Sequence, residues 1–267
     1  MQEIKFFKYH GTGNDFIMID NRTGFFPKAN SALVAGLCRR RFGVGADGLI
    51  LLEPATGCDF RMVYFNADGA EGTMCGNGGR CAVALAARLG MVSGSEVEFL
   101  ACDGPHRAIL HSDGTVALQM RDVDEVEAGP GYYLLDTGSP HYVVFVEDLD
   151  DIDVVENGKL IRYSDRFRRQ GVNVNFVEKK NGSIMVRTYE RGVEDETLSC
   201  GTGVTASALA YALEQAVGES TLVVPVETLG GRLEVAFEKK GPAQFRDVWL
   251  RGPTMCVYEG VVRLPAS

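Results

Sequence analysis

Apolar and polar positions alternate with a period of two along most of this chain, and the alternation is broken by two runs that stay apolar for the length of a helix. IKFFKYH, FIMID, LILLE, FRMVYF, VEFLA, HRAIL and VALQM read as strands in the first half, and YYLLD, YVVFV, VNFVE, IMVRTYE, TLVVP, RLEVAF and DVWLR in the second. The helical runs carry almost no charge. One spans Cys81 to Ala87 and stops at Gly90, a residue suited to the left-handed position after a helix; the other spans Val204 to Leu213 and is closed by Gly218. A helix apolar on nearly every face belongs inside a core or a membrane, and about 10 to 12 residues is too short to cross a bilayer. The pattern therefore predicts a mixed α/β (α+β) fold in which strands wrap around one buried helix per half.

The halves repeat. Each buried helix is preceded by Cys-Gly-x-Gly, at Cys75 and at Cys200, and each cysteine follows a strand-like segment that ends in polar residues and a glycine, VYFNADG and VRTYERG. Gly13 in GTGNDFIMID matches Gly138 in TGSPHYVVFVED, and Gly43 in RRRFGVGADG matches Gly171 in RRQGVNVNF. The offsets are 138 − 13 = 125, 171 − 43 = 128 and 200 − 75 = 125, so three motifs recur in one order at nearly constant spacing. A tandem repeat in 267 residues implies two domains of ordinary size. The change falls near Arg121 to Gly131, where acidic residues meet Gly129, Pro130 and Gly131. This places an N-terminal domain over 1–121 and a C-terminal domain over 122–253, with a last strand in 254–267 (MCVYEGVV) returning to the first.

Composition narrows the function. Hydrophobic residues at 45% and charged residues at 24% fit a soluble globular protein with two real cores. A net charge of −9 argues against nucleic-acid binding, which needs a basic surface to displace counterions. The basic runs at Arg39 to Arg41 and Arg166 to Arg169 read as solvated helix ends. No signal peptide or membrane span is evident, so a cytosolic protein is expected. Seven cysteines without CxxC pairs fit reduced thiols better than disulfides, and neither their spacing nor the four scattered histidines suits zinc; no metal is expected.

The candidate chemistry sits at the two cysteines. The first N–H groups of a helix lack internal partners and carry partial positive charge, which favours a thiolate at that position. Neighbouring glycines let an anion approach the backbone. One such motif reads equally as a small buried cysteine beside a turn; two at matched positions point to shared chemistry. If a pseudo-twofold relates the halves, the two helix starts flank one ligand in the cleft between domains. A base on one face and an acid on the other would then invert a stereocentre. The α-hydrogen of an amino acid is only weakly acidic, and backbone amides of Gly76, Asn77, Gly201 and Thr202 suit the carboxylate whose neutralisation its removal demands. No cofactor is required for this chemistry.

HGTGNDF, FNADG, MCGNGGRC, GSPH, GVNVNF, YERG and SCGTG, in this order over nearly the whole chain, resemble the diaminopimelate epimerases. The resemblance implies an isomerase, independent of pyridoxal phosphate, that interconverts LL- and meso-diaminopimelate in bacterial lysine and peptidoglycan-precursor synthesis. It implies a cytosolic homodimer of two pseudo-symmetric domains, each a barrel-like sheet around a central helix. Carried over by motif, Cys75 and Cys200 are the acid and base, and Asn14, Asn66, Gly76, Asn77, Asn173, Glu190, Arg191, Gly201 and Thr202 hold the substrate. His141 and Glu190 tune the thiols. These residue types suit those roles: arginine clamps a carboxylate, asparagine donates and accepts, and a carboxylate receives an ammonium. By residue type alone, Asn14 and Asn173 also read as turn residues, His141 as a core histidine and Glu190–Arg191 as a surface pair.

Three features depart from the family pattern. Ser139 stands where many members have asparagine before Pro-His, and Gly48 where some have glutamine; in members that carry those residues both positions contact the distal end of the substrate. VEDETLSCG is longer than the usual spacing before the second cysteine. A proline racemase or hydroxyproline epimerase is the alternative, and its substrate lacks a second amino-acid centre, against which Asn66, Asn173 and Arg191 argue. A thiol–disulfide protein would leave the glycines without a purpose, and a non-catalytic anion-binding module requires both thiols to be dispensable.

Overall fold

The computed structural model describes residues 2–264, which form two compact units: one runs to Leu118 and resumes at Pro253, and the other is Gln119–Gly252. The first unit contains β1 (Gln2–Gly11), β2 (Asn14–Asp20), α1 (Ser31–Cys38), β3 (Gly48–Glu53), β4 (Phe60–Asn66), α2 (Gly76–Arg88), β5 (Glu96–Ala101), β6 (Gly104–Leu110) and β7 (Val116–Gln119). The second contains β8 (Val126–Gly129), β9 (Tyr132–Asp136), β10 (Pro140–Val146), α3 (Val154–Arg162), β11 (Asn173–Lys180), β12 (Ser183–Glu190), β13 (Asp195–Thr197), α4 (Gly201–Glu214), β14 (Ser220–Thr228), β15 (Gly231–Lys239) and β16 (Phe245–Gly252). A last strand, β17 (Met255–Leu264), pairs antiparallel with β1 in the first unit.

Both units string their strands in one pattern. The first runs β17-β1-β2-β3-β4-β5-β6-β7, parallel at β2/β3 and β4/β5 and antiparallel elsewhere. The second runs β8-β9-β10-β11-β12-β14-β15-β16, parallel at β10/β11 and β12/β14 and antiparallel elsewhere. Phe16 lies opposite Gly48 and His141 opposite Asn173, so 141 − 16 and 173 − 48 both equal 125, the spacing of the two cysteines.

Period-two alternation explains how each sheet serves two helices. On β2 and β3, Ile17, Ile19, Leu49 and Leu51 join the α1 side of the core with Val34 and Leu37. The opposite face, with Phe16 and Ile50, lies under Gly78 of α2. Strands buried on both faces read as near-continuous apolar runs, as LILL does. In the second unit Val174 and Phe176 pack on the α3 side, while Val177 joins the core around α4. Asn173 and Asn175 share the face of Val177 and are therefore turned to α4.

The buried helices touch many strands, α2 meeting β1, β2, β3, β4 and β6, and α4 meeting β9, β10, β11, β12, β14, β15 and β16. Helix α2 ends as expected, with Gly90 at φ +66 and hydrogen bonds from Gly90 N to Ala87 O and Met91 N to Ala86 O. Helix α4 ends earlier than Gly218: Ala216 takes the left-handed position at φ +51, and Ala216 N and Val217 N bond Leu213 O and Ala212 O. Two strands escape the sequence pattern. Strand β8 lies in the expected interdomain stretch, and β13 forms within VEDETLSCG, where the added residues pair with β12. Arg39 caps α1, whereas the Arg166 run follows α3 rather than ending it. Among the described residues no helix is long and apolar enough to cross a membrane.

Candidate active site

The two ordinary helices are capped by side chains, α1 by Asn30 and α3 by Asp153, each accepting the backbone N–H three residues on. The two buried helices instead have Cys75 and Cys200 at the cap position in extended backbone (φ −113 and −105), and neither side chain makes a capping hydrogen bond. A thiol in that place leaves the helix amides to other acceptors and stands beside the positive end of the dipole. None of the seven cysteines is disulfide-bonded.

In the first unit Cys75 Sγ donates to Asn14 Oδ1 at 3.5 Å, and Asn77 Nδ2 reaches the same oxygen at 3.4 Å. Asn14 opens β2, and its Nδ2 donates to Asp47 Oδ2 at 2.8 Å, which sets the direction of its amide. Asp47 is held by Arg40 Nη2 (2.9 Å), which also meets Asp15 with Lys8 on its other side. Burial raises the proton affinity of Asp15, but hydrogen bonds from Arg40 and Lys8 outweigh it and hold the carboxyl down at about 2. Asn66 ends β4, exposed, with its amide oxygen beside Gly72. Gly76, Asn77, Asn14 and Cys75 are thus brought together, while Asn66 stands at the rim of its unit.

In the second unit His141 is fully buried, and its neighbours set its tautomer. Asn175 Oδ1 accepts the Thr188 hydroxyl (3.0 Å), so Asn175 Nδ2 points to His141 Nδ1 (3.1 Å). Nδ1 is then the acceptor, and Nε2–H donates to Thr202 Oγ1 at 2.8 Å. Thr202 Oγ1 lies 3.5 Å from Cys200 Sγ, where its hydroxyl can donate to a thiolate or accept from a thiol. Burial, and then the Arg191 charge, push the His141 ring down to about 3, so it works as a neutral imidazole. Gly203 makes the contact possible: a Cβ there would stand 2.3 Å from Asn175 Oδ1 and 3.3 Å from His141 Cε1.

A second cluster lies beside it. Asn173 Nδ2 donates to Ser139 Oγ (2.9 Å) and Pro140 O (3.1 Å), and Asn173 Oδ1 accepts from Arg191 N (2.8 Å). Arg191 extends Nη2 to Ser139 Oγ (3.2 Å) and Nη1 to Gln170 O (3.0 Å). Glu190 ends β12 and accepts from Thr197 Oγ1 at 2.8 Å. Sequence reasoning missed Asn175, Thr188, Asp47 and Ser139 as organisers of these clusters. The signal for Asn175 was present, since it stands two residues after Asn173 on the same strand face.

The diaminopimelate epimerase family model matches residues 6–126 and 133–253, one copy per unit. This chain belongs to the diaminopimelate epimerase family. A diaminopimelate epimerase of Flavobacterium psychrophilum is 48% identical over 97% of this chain and 100% of its own length. Among solved structures, a PhzF-family phenazine biosynthesis protein from Bacillus anthracis superposes with a TM-score of 0.78 at 16% identity, covering 99% of this chain and 100% of that one. A probable proline racemase from Agrobacterium radiobacter K84 gives 0.69 at 17% identity over 99% and 93%. At such identities the likeness is one of fold.

The family's glutamine position is closed here. A Cβ on Gly48 would lie 2.5 Å from the Tyr64 ring and 2.6 Å from Phe65 O, and the same ring abuts Gly72, so tyrosine occupies the room a longer side chain would need. At the family's asparagine position Ser139 offers one hydroxyl oxygen that accepts from both Asn173 and Arg191.

Proposed function

We propose that this chain is an isomerase that interconverts LL- and meso-diaminopimelate without a cofactor, with Cys75 and Cys200 exchanging the roles of base and acid at one α-carbon. The observation that carries this reading is the pair of cysteine-capped buried helices at a spacing of 125 residues, inside a chain that matches the family in both halves. Racemising chemistry needs a proton taken from one face and returned to the other, and two chemically alike groups allow it to run in either direction. The backbone amides of Gly76, Asn77, Gly201 and Thr202 would receive the carboxylate adjoining the reacting carbon, stabilising the charge that builds as the C–H bond breaks. Asn14, Asn66, Asn173, Glu190 and Arg191 would hold the remaining ammonium and carboxylate groups, and His141 and Glu190 would tune the thiols. The His141–Thr202–Cys200 sequence of hydrogen bonds supports that assignment for His141, since it links the ring to the sulfur through the threonine hydroxyl.

The polar cluster of Ser139, Asn173 and Arg191 favours a substrate with a second amino-acid centre over proline, which has none. A cytosolic homodimer completes the proposal; exposed Met255, Val257, Tyr258 and Val261 on β17 offer the apolar surface a second subunit would cover. The test is the rate of α-proton exchange and epimerisation on LL-diaminopimelate against L-proline, with Cys75→Ala and Cys200→Ala beside the unaltered chain. Turnover of diaminopimelate that both substitutions abolish is expected. Preference for proline, or activity surviving either substitution, contradicts the reading.

A further inference from the structure

Arg80 is the largest fully buried side chain among the described residues, one turn into α2 from Cys75. Its Nη2 donates to Thr12 Oγ1 (3.3 Å) and Asn77 Oδ1 (2.9 Å), and its Nε and Nη1 have no hydrogen-bond partner among the described residues. Among the described residues no carboxylate pairs with it. Burying a guanidinium in this way opposes folding, and the protein keeps the charge nonetheless. Gly11 keeps the space for it: a Cβ there would stand 3.0 Å from Asn77 O and 3.4 Å from Arg80 Nη2. At the matching position of the second unit (80 + 125 = 205) stands Thr205, whose hydroxyl merely returns to Gly201 O at 2.9 Å.

We propose that Arg80 is a positioning residue for the thiol of the first half: its buried charge favours the Cys75 thiolate, and through Asn77 it orients the Asn14 side chain that meets the sulfur. The inference rests on the reading of Cys75 as one of the two acid–base groups. The geometric link is continuous, since Asn77 Oδ1 accepts from Arg80 Nη2 and Asn77 Nδ2 shares with Cys75 the oxygen of Asn14. Burial lowers the pKa of Arg80, and the neighbouring Cys81 and Cys75 sulfurs oppose that shift only when ionised. Cys81 is itself pushed up to about 12 by burial, so it stays a thiol and Cys75 is the group positioned to carry the counter-charge.

Other charges near this helix end are already matched. At the Cys75 end of the elements packed on α2 stand His10 on β1, Asp15 on β2, Asp47 before β3, Tyr64 on β4 and His106 on β6. Asp15 is met by Lys8 and Arg40, Asp47 by Arg40, and His106 by Asp103. His10 Nδ1 accepts from Gly13 N at 3.4 Å. Among the described residues Arg80 is therefore the cation at this helix end that no carboxylate meets.

The experiment is the pH dependence of iodoacetamide alkylation, read separately at Cys75 and Cys200 by peptide mass spectrometry. Arg80→Gln keeps amide donors for Thr12 and Asn77 but removes the charge; Arg80→Lys keeps the charge without the fork. The midpoint at Cys75 should rise by about one to three pH units in Arg80→Gln, the range for loss of a neighbouring opposite charge. It should move by less than half of that in Arg80→Lys, with the Cys200 midpoint unmoved in both. Should Arg80→Gln fail to fold, Arg80→Met is read in the same way. A Cys75 midpoint unchanged in the neutral variant, or shifted equally in Arg80→Lys, overturns the role of the charge. Epimerisation that survives Cys75→Ala would instead defeat the two-thiol reading, so the two failures are separable.

Discussion

Gly203→Ala tests how tightly the surroundings of Cys200 are built. The added methyl would stand 2.3 Å from Asn175 Oδ1, a buried amide held between strands, so the asparagine must move. Its shift breaks the hydrogen bond to His141 Nδ1 and the one received from Thr188. Overpacking of this kind costs about 1–3 kcal/mol, and each lost hydrogen bond about 1 kcal/mol more. The total, about 3–5 kcal/mol, corresponds to a fall in Tm of roughly 6–20 °C for a chain of this size class. With Asn175 displaced, the His141 tautomer is no longer imposed, and kcat should fall by about tenfold or more, as expected when a group supporting acid–base work is misplaced. The control is Gly76→Ala, at the first position of the other buried helix, where a Cβ meets only Leu118 Cδ2 at an ordinary 3.8 Å. That variant should melt within about 3 °C of the parent, as a substitution without a clash costs little. Thermal melts and steady-state kinetics on both variants decide the matter. If Gly203→Ala melts like Gly76→Ala and turns over like the parent, the tight contact of α4 with Asn175 and His141 is not what holds this site.

Two further outcomes are expected. His141 releases its proton near 6.5 in an unfolded chain but only at about 3 when folded, so between those values acid favours the unfolded state. Its contribution to stability is full above pH 6.5 and lost as the pH falls toward 3. His141→Gln should therefore flatten the fall in urea-unfolding free energy between pH 6.5 and 4, and an unchanged slope would show that the ring is not held neutral. Ala216 sits at φ +51, where an L-residue is strained by about 1–2 kcal/mol. Ala216→Gly removes that strain at some entropic cost in the unfolded chain, so a gain of up to about 1 kcal/mol is expected; a loss of stability would mean Ala216 is not strained.

The repeated Cys-Gly-x-Gly motif placed both thiols at helix starts because it combines two local signals, glycines that admit close approach and a chargeless run that must be buried. Strands were legible wherever alternation was strong, as in FIMID and LILLE. They were not legible where pairing makes them, as in β13, whose Asp195 and Glu196 have little strand preference and are held by β12. Helix α4, which runs to Glu214, is closed by Ala216 and not by Gly218 because the hydrogen bonds to Ala212 O and Leu213 O close the turn earlier, and the chain accepts a strained alanine there. The polar support of the thiols depends on contacts between distant segments. Nothing local marks Asp47 as the group that orients Asn14, or Thr202 as the bridge from His141 to Cys200. Nothing in the local sequence marks Arg80 as buried; the packing of β1 against α2 encloses it.

The central claim, that two thiols divide the work at one α-carbon, is tested most directly by epimerisation of LL-diaminopimelate in heavy water, with deuterium at the α-carbon measured in both isomers at early times. A base that removes the hydrogen and a separate acid that delivers solvent deuterium from the opposite face place the label almost wholly in the newly formed meso isomer, while the remaining LL isomer stays protiated. A single base would return label to both. Deuterium appearing equally in the two isomers at low conversion would contradict the account.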